Sequence, residues 1–444
     1  MERATLVVLL AALSCVLGAE ENSCGDCLIL TPYIQNGNAS LARELSEVNS
    51  TAFTGLKSHS GFITVKEEYN SNLFFWFFPA ATNLSETPLI IWLQGGPGFS
   101  SMKGLFDIIG PIKVENGKAV RRNISWSDHS LLFLDNPVGA GFSFTDDDDG
   151  YTDNEDDVGE QMLVFLEQFL MMFPEIRSAP LFVVGESYAG KYVPALGIQI
   201  HRHNKNNPSK HINLKGIAIG NGLVELRQMM HYSTMCSVLG VLEGPQIEQV
   251  EMLEKKVIQL IDAKKMIDAA NTFNETIEYI KKQTGISVYN FMEEPSSGAP
   301  DFEEFLNRTD VKELIHVGNA TFILNNQLVY QKMLPDFANT TKPFIEELLE
   351  HYGVLAYNGQ LDMILGYSLS KHMYDTLKWS RRESYFQSPR RRLRKYANGS
   401  VVGYKKAGGN FVDVLIRGAG HMVPTDQPEV AKFIIDSFIE EFKK

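Results

Sequence analysis

Cysteine is scarce in this chain, which has four in 444 residues. One of them, Cys15, lies in an apolar N-terminal segment, which leaves Cys24, Cys27 and Cys236 for the rest of the protein. Three cysteines cannot build a disulfide framework, so a hydrophobic core must stabilise the fold. Cys24 and Cys27 have the spacing of a zinc or redox pair, but no second cysteine pair or histidine cluster accompanies them. A zinc site is therefore disfavoured, and the pairing of the three cysteines stays open.

Positive charge is also in deficit. The chain has 41 Lys and Arg against 54 Asp and Glu, which gives a formal net charge of −13 at pH 7. This balance disfavours nucleic acid and anionic membranes as partners. No apolar run after the N-terminal segment is long enough to span a membrane.

The two local charge runs are best interpreted as surface structure. Residues 146–157 (DDDDGYTDNEDD) lack an acid where a calcium loop must begin, which favours a solvated loop leading into a helix. Residues 390–395 (RRRLRK) are compatible with a processing site or a polyanion patch. The turn Asn398-Gly399 and the β-prone residues 401–404 that follow favour an exposed hairpin strand instead.

The N-terminal segment has the layout of a secretory signal peptide. Arg3 precedes an apolar run over residues 5–17, and the small residues Gly18 and Ala19 follow. The run is short for a membrane anchor, so we predict a signal peptide over residues 1–18. Sequons of the form Asn-X-Ser/Thr, typical of a secreted or endolysosomal glycoprotein, occur at Asn38, Asn49, Asn83, Asn123, Asn274, Asn307, Asn319, Asn339 and Asn398.

Short apolar runs alternate with helical patterns along most of the chain. Residues 61–69 and 73–78 predict a hairpin. Further strands are predicted at residues 88–93, 130–134, 181–184, 214–219, 353–357 and 411–416, and helices at 158–173, 188–203, 367–377 and 429–442. Because these strands are continuously apolar, we expect them to be buried on both faces of a mostly parallel sheet. The sequence therefore predicts an α/β fold.

Residues 224–341 break this alternation. Apolar residues recur there at helical spacing, from Val250 to Ile261, and no convincing buried strand interrupts them. We interpret this stretch as an inserted, mainly helical cap. The predicted catalytic core then consists of residues 19–223 and 342–444.

A serine follows one predicted strand directly. Gly185-Glu186-Ser187-Tyr188-Ala189 lies between the strand at 181–184 and a predicted helix, which is the context of a nucleophile elbow. A sharp turn requires small residues on both sides of the serine, and Gly185 and Ala189 supply them. A serine hydroxyl needs an imidazole to accept its proton and a carboxylate to orient that imidazole.

Both partners occur later in the chain, in the order that this kind of hydrolase requires. Asp362 follows the strand at 353–357, and His421 follows the strand at 411–416 in a glycine-rich loop. Both therefore lie beyond the carboxyl ends of strands, where α/β sheets place ligands. The sequence predicts a Ser187, His421, Asp362 triad.

A glycine-rich turn follows the strand at 88–93. In WLQGGPGFSS (residues 92–101) the backbone N–H groups of the glycines are suited to bind an oxyanion. A plain tight turn is the other interpretation. A phosphate loop is disfavoured, because no Lys-Ser/Thr follows at the required spacing.

Five ordered motifs resemble the serine carboxypeptidase family. They are WLQGGPGFSS, DNPVGAGFSF (135–144), GESYAGKYVP (185–194), YNGQLD (357–362) and GAGHMVPTDQP (418–428). Within this family the chain is most similar to the vitellogenic-like branch, because it has Gln94 and the stretches SNLFFWFFPA and IHVGNATF. The resemblance covers essentially all of the mature chain. It implies an α/β-hydrolase fold with a cap, and removal of single residues from the C-termini of peptides and proteins without a cofactor or metal.

The resemblance also implies roles for individual residues. It makes Ser187 the nucleophile, His421 the base and Asp362 the orienting acid. The oxyanion hole would consist of the N–H groups of Gly96 and Tyr188. The family holds the terminal carboxylate of its substrate with groups that correspond here to Trp92, Gln94, Gly95 and Glu186. A carboxylate can hold another carboxylate only when one is protonated, so activity should favour acidic pH.

Three departures from the family pattern bear on these roles. The family usually has a second glutamate that partners the one before the serine; here that position is Ile108, and Asp107, one residue early, should point elsewhere. Many relatives have a cysteine where Phe99 stands, so the disulfide from core to cap is absent and Cys236 is left without an assigned partner. An acyltransferase of the same fold and an inactive binding or storage glycoprotein are the alternative functions, and a homodimer is left open.

Overall fold

The structure is a computed structural model that describes residues 24–295 and 298–444. The predicted signal peptide at 1–18 lies outside the described residues. In the described ranges, no helix is both long and apolar enough to cross a membrane.

The strands form one large sheet and one small one. They are β1 (Glu47–Val48), β2 (Ser58–Lys66), β3 (Ser71–Phe78), β4 (Leu89–Leu93), β5 (Ile112–Glu115), β6 (Lys118–Arg121), β7 (Ser130–Leu134), β8 (Leu181–Glu186), β9 (Leu214–Gly220), β10 (Gly353–Gly359), β11 (Arg391–Leu393), β12 (Gly403–Gly408) and β13 (Phe411–Ile416). The large sheet has eleven strands in the order β1-β2-β3-β7-β4-β8-β9-β10-β13-β12-β11. Its neighbours from β7 to β13 pair in parallel, and those at either end pair antiparallel. The predicted α/β fold with a mostly parallel sheet is confirmed.

Helices cover both faces of this sheet. They are α1 (Thr31–Gln35), α2 (Ala39–Leu45), α3 (Glu155–Met172), α4 (Ala189–Asn206), α5 (Leu226–Met229), α6 (Tyr232–Leu239), α7 (Pro245–Asp262), α8 (Met266–Thr284), α9 (Asp301–Leu306), α10 (Thr309–Leu314), α11 (Gln327–Phe337), α12 (Lys342–Leu348), α13 (Tyr367–Tyr374), α14 (Arg382–Gln387), α15 (Val423–Asp426) and α16 (Pro428–Phe442). Successive residues of β4 enter two different core clusters: Leu89 and Ile91 join α3 and α4, whereas Ile90 joins α16. The strand is buried on both faces because its side chains alternate between two layers of helices.

The predicted surface elements are largely found. The acidic run ends in α3, where the side chain of Asn154 accepts a hydrogen bond from the N–H of Asp157 at 2.9 Å and caps the helix. The basic run contributes β11, which pairs antiparallel with β12. The predicted helix at 367–377 ends earlier, at Tyr374. The hairpin of β5 and β6 was not predicted, because its half-exposed residues lack a long apolar run.

The chain between β9 and β10 contains the helices α5 to α12 and no named strand in its described residues. In α7, the residues Val250, Leu253, Val257 and Ile261 are buried, as their helical spacing requires. This stretch is therefore mainly helical and lies between two central strands. The boundaries of a cap at residues 224 and 341 stay a prediction.

Cys24 and Cys27 form a disulfide. Cys236 is buried on α6 and has no disulfide partner among the described residues.

Candidate active site

Ser187 occupies a sharp turn between β8 and α4. Its φ of +64° lies in the left-handed region, which is costly for a residue with a side chain. The turn is fixed because the N–H of Ser187 donates to Gly220 O at 2.9 Å, and the N–H of Leu223 donates to Ser187 O at 3.0 Å. A Cβ at Gly185 would come within 2.5 Å of Leu93 O, so the small residue before the elbow is required. The predicted strand, turn and helix are all present.

His421 and Asp362 form a buried pair. Nδ1 of His421 lies 2.8 Å from Oδ2 of Asp362, and both side chains are almost fully buried. The two residues follow β13 and β10, which are parallel neighbours in the sheet, so their loops meet at the same edge. Burial works against a charged imidazole, but the Asp362 carboxylate outweighs it and raises the pKa of His421.

Asn221 supports this pair and was not found from the sequence. Its Nδ2 donates to Asp362 Oδ2 at 2.5 Å, and its Oδ1 accepts from the N–H of Gly359 at 3.0 Å. The N–H groups of Ile364 and Leu365 also donate to Asp362 Oδ1. These donors hold the carboxyl group of Asp362 in position beside the histidine. The signal in the sequence was a polar residue at the carboxyl end of β9.

Ser187 and His421 are not directly bonded. Among the described residues no hydrogen bond joins them, and Nε2 of His421 is buried without a partner. Ser187 lines a cavity of about 370 Å³ together with Gly96 and Tyr188. Bonds between catalytic groups are commonly long in unliganded enzymes and shorten when substrate binds.

The glycine loop after β4 lies against the start of α4. A Cβ at Gly95 would come within 2.5 Å of the backbone nitrogen of Tyr188, so only glycine permits this approach. The loop and the residue after the serine are therefore in contact, and Gly96 and Tyr188 line the same cavity as Ser187. This is the arrangement that an oxyanion hole at Gly96 and Tyr188 requires.

A chain of hydrogen bonds joins the three predicted carboxylate-binding side chains. Nε1 of Trp92 donates to Oε1 of Gln94 at 3.1 Å, and Nε2 of Gln94 donates to Oε1 of Glu186 at 2.8 Å. Glu186 is fully buried, and its Oε2 has no hydrogen-bond partner among the described residues. Burial raises the pKa of Glu186. A buried carboxyl with one unpaired oxygen is suited to be protonated and to donate to an anion.

The position of the missing second acid is apolar. Ile108 is 3% exposed at the end of a π-helical turn, Gly104–Ile108. Asp107 instead lies 3.2 Å from Lys103, where it forms a partly exposed ion pair. As expected, Asp107 does not hydrogen-bond to Glu186.

Asp135, the first residue of the motif DNPVGAGFSF, holds the glycine loop in position. Its buried carboxylate accepts hydrogen bonds from the hydroxyl of Ser100 at 2.6 Å, and from the N–H groups of Ser101 at 2.8 Å and Phe142 at 3.0 Å. Ser101 in turn accepts a bond from the N–H of Gln94. DNPVGAGFSF thus fixes WLQGGPGFSS in place.

The walls of the large cavity could not be predicted. Phe273 and Ile277 of α8 and Tyr330 and Phe337 of α11 line it beside Ser187. All four belong to the helical stretch between β9 and β10, whose tertiary packing has no local signal. Among residues 24–295 and 298–444, no group of three or more His, Cys, Asp or Glu side chains is placed to hold a metal ion.

A second buried polar cluster lies behind the elbow. Lys191 of α4 is fully buried, and its Nζ donates to Oδ2 of Asp336 on α11 at 2.8 Å. Nearby, both carboxyl oxygens of Glu155 and the hydroxyl of Tyr188 are buried without hydrogen-bond partners at bonding distance among the described residues. Burial raises the pKa of Glu155 to about 8, although the charge of Lys191 opposes this.

The raised pKa of Glu155 should make the stability of the folded protein depend on pH. In the unfolded chain a glutamate loses its proton near pH 4.5, whereas the folded protein keeps it to about pH 8. Stability therefore falls as the pH rises through this window, by on the order of 5 kcal/mol at most. We expect Glu155→Gln to raise the melting temperature at pH 7.5 by roughly 5 °C or more, and to leave it unchanged at pH 4.5.

Calorimetry of the wild-type and Glu155→Gln proteins at pH 4.5 and 7.5 measures this difference in melting temperature. Glu160→Gln, an exposed position on the same helix, is the matched control. An equal shift at both pH values would show that the ionisation of Glu155 is not the cause.

Comparisons with known proteins identify the family of this chain. Residues 49–441 match the family model described as serine carboxypeptidase. The chain is 40% identical to the venom serine carboxypeptidase of Apis mellifera over 437 residues, covering 96% of this chain and 93% of the relative. It is 38% identical to the vitellogenic carboxypeptidase of Aedes aegypti, covering 93% and 90%. It is 39% identical to the probable serine carboxypeptidase CPVL of Homo sapiens, covering 94% and 90%.

A solved structure has the same fold. Kex1Δp, a prohormone-processing carboxypeptidase from Saccharomyces cerevisiae, matches with a TM-score of 0.81 at 24% identity, covering 90% of this chain and 96% of that one. The α/β-hydrolase fold and the family predicted from the motifs are confirmed. This chain therefore belongs to the serine carboxypeptidase family and is a peptidase.

Proposed function

We propose that the protein removes single C-terminal residues from peptides and proteins through an acyl-enzyme formed on Ser187. The observation that carries this proposal is the buried pair of His421 and Asp362, 2.8 Å apart, in loops that follow neighbouring strands. The left-handed elbow at Ser187 and the adjoining glycine loop support it.

We assign each step of the reaction to a residue of this site. The hydroxyl of Ser187 attacks the last peptide carbonyl while Nε2 of His421 accepts its proton. Asp362 holds Nδ1–H and stabilises the imidazolium. The N–H groups of Gly96 and Tyr188 stabilise the oxyanion. His421 then protonates the leaving amine, and water releases the acyl group by the same route in reverse.

The terminal carboxylate of the substrate distinguishes a carboxypeptidase from an endopeptidase. We propose that Trp92, Gln94, Glu186 and the backbone of Gly95 bind it. Because burial raises the pKa of Glu186, this carboxyl can hold its proton at mildly acidic pH. As the pH rises and Glu186 ionises, it repels the substrate; as the pH falls, His421, whose pKa is raised, becomes protonated and cannot act as the base. We therefore expect activity to be highest at mildly acidic pH.

The secretory pathway is the location that fits this chemistry. Seven of the nine sequons are exposed, whereas Asn274 and Asn339 are half-buried. The amide of Asn274 donates to the hydroxyl of Tyr330 at 2.6 Å, and that of Asn339 to Asp336 at 2.9 Å. We propose a secreted or endolysosomal glycoprotein with glycans at exposed sequons.

Labelling with a fluorophosphonate tests the proposed chemistry. We expect labelling at Ser187, located by peptide mapping, and release of a free amino acid from a blocked dipeptide. Absence of labelling at Ser187 would favour an inactive binding protein instead. Labelling at Ser187 with transfer of the acyl group to an added amine or alcohol, and no hydrolysis, would identify an acyltransferase.

A further inference from the structure

Lys103 lies beside the groups that we propose to bind the substrate carboxylate. It directly precedes Gly104, where an added Cβ would overlap Nε1 of Trp92. Trp92 begins the hydrogen-bonded chain that runs through Gln94 to Glu186. The backbone next to Lys103 therefore contacts Trp92, the first residue of this series of hydrogen bonds.

The side chain of Lys103 lines a cleft of about 300 Å³. Met422, the residue after His421, and Thr425 form another part of the cleft wall. The hydroxyl of Thr425 also donates to Asp107 O at 3.3 Å, so the π-helical turn packs against the loop that carries His421. The cleft is therefore bordered by Met422, next to His421, and by the turn that packs on Trp92.

The electrostatic surroundings leave Lys103 able to act on an anion. The charged residues that line the cleft with it are Asp107, Lys113, Arg122 and Asp301, and its charge also acts on Glu186. Its described ion-pair partner is Asp107, at 3.2 Å, and that carboxylate is 33% exposed. Such partly exposed pairs at i and i+4 are weak, so a substrate anion can compete for the ammonium. Burial raises the pKa of Glu186, and the charges of His421 and Lys103 act in the opposite direction.

We infer that the Lys103 ammonium binds the terminal carboxylate of the substrate, in a site where Ile108 has removed the second acid. The inference rests on the proposed function. A pair of acids binds a carboxylate only while a proton remains between them. An ammonium binds the same anion directly and needs no shared proton. Lys103 therefore limits the loss of substrate binding that follows when Glu186 ionises.

Two substitutions of opposite expected sign test this inference. Lys103→Met should lower kcat/KM for a blocked dipeptide with a free carboxylate by roughly tenfold or more, because a charge-assisted contact is lost. Asp107→Asn removes the competitor for the ammonium and should raise kcat/KM for the same substrate. Lys103→Arg should retain most of the activity, which shows that the charge matters.

Matched controls separate charge recognition from damage to the fold. Lys113→Met alters another lysine of the cleft, which pairs with Glu115, and should change kcat/KM little. The rate of fluorophosphonate labelling needs no carboxylate and should be unchanged in every variant. The C-terminal amide of the dipeptide, assayed at high concentration because it is a poor substrate, should likewise be cleaved by the wild-type and Lys103→Met proteins at similar rates.

The pH dependence gives a further readout. Between pH 5 and 7.5 the KM of the wild-type protein for the free acid should rise less steeply than that of Lys103→Met. Equal loss of acid and amide cleavage in Lys103→Met, or a fall in kcat/KM in both Lys103→Met and Asp107→Asn, would overturn the inference and leave only a structural ion pair.

Failure of the proposed function would look different. In that case the wild-type protein itself would release no residue from the free-acid dipeptide, and this inference would fall with it.

Discussion

Replacing Ser187 with alanine should lower kcat/KM for a blocked dipeptide by about 10⁴-fold or more, and most of that loss should be in kcat. The hydroxyl is the atom that becomes acylated, and no neighbouring group can replace it. Substrate binding should persist, because Gln94, Glu186 and the cavity walls do not depend on the hydroxyl. Steady-state kinetics and binding of the uncleaved dipeptide measure the two effects separately.

Ser237→Ala is the matched control for this substitution. Ser237 is exposed on α6, away from the elbow, and its replacement should leave both constants unchanged. The alanine at position 187 inherits the same left-handed φ of +64°, so the fold should be retained. Activity of Ser187→Ala within tenfold of the wild-type protein would exclude Ser187 as the nucleophile.

Asp362→Asn should lower kcat by about 10³- to 10⁴-fold with little change in KM. Asp362 accepts hydrogen bonds from His421, Asn221 and two backbone N–H groups, so only an acceptor fits its position. An asparagine amide would present a donor to Nδ1 of His421 and force the proton onto Nε2. In that tautomer His421 cannot accept the proton of Ser187.

Asp375→Asn serves as the control, since Asp375 is exposed and pairs only with Lys371 of α13 among the described residues. Fluorophosphonate labelling should slow in Asp362→Asn as much as peptide cleavage does, because both need the same proton transfer. A large rise in KM with unchanged kcat would show instead that Asp362 shapes the binding site and does not act through His421.

The candidate triad was predictable because each member lies in the turn or loop that follows a strand. Ser187, Asp362 and His421 come after apolar runs whose parallel pairing brings their carboxyl ends to one edge of the sheet. A local pattern thus indicated the strand end at which each residue lies, and the order of the strands brings these ends together. The same reasoning located the glycine loop after β4.

Other features of the site depend on contacts between distant segments. Asn221 approaches Asp362 across 141 residues of sequence, and Lys191 approaches Asp336 across 145. Neither contact leaves a periodic signal, so sequence patterns could not reveal them. The walls contributed by α8 and α11 were unpredictable for the same reason, although the helices themselves were indicated by their spacing.

The surroundings of Ile108 became clear only when the sequence and the structure were considered together. Its identity showed that an acid is missing, but the sequence did not show what stands nearby. The structure places Lys103 directly before Gly104, which packs against Trp92, and in a cleft that also borders Met422. A lost acid and a nearby ammonium act in the same direction, because both make the site less negative for an incoming carboxylate.

Mass spectrometry of peptides with varied C-termini, incubated with the protein from pH 4 to 7, tests the central claim most directly. The account predicts stepwise loss of single residues from the C-terminus, fastest at acidic pH, and little or no cleavage when the last carboxylate is amidated at low substrate concentration. Cleavage within the peptides, or equal cleavage of amidated and free peptides, would contradict it.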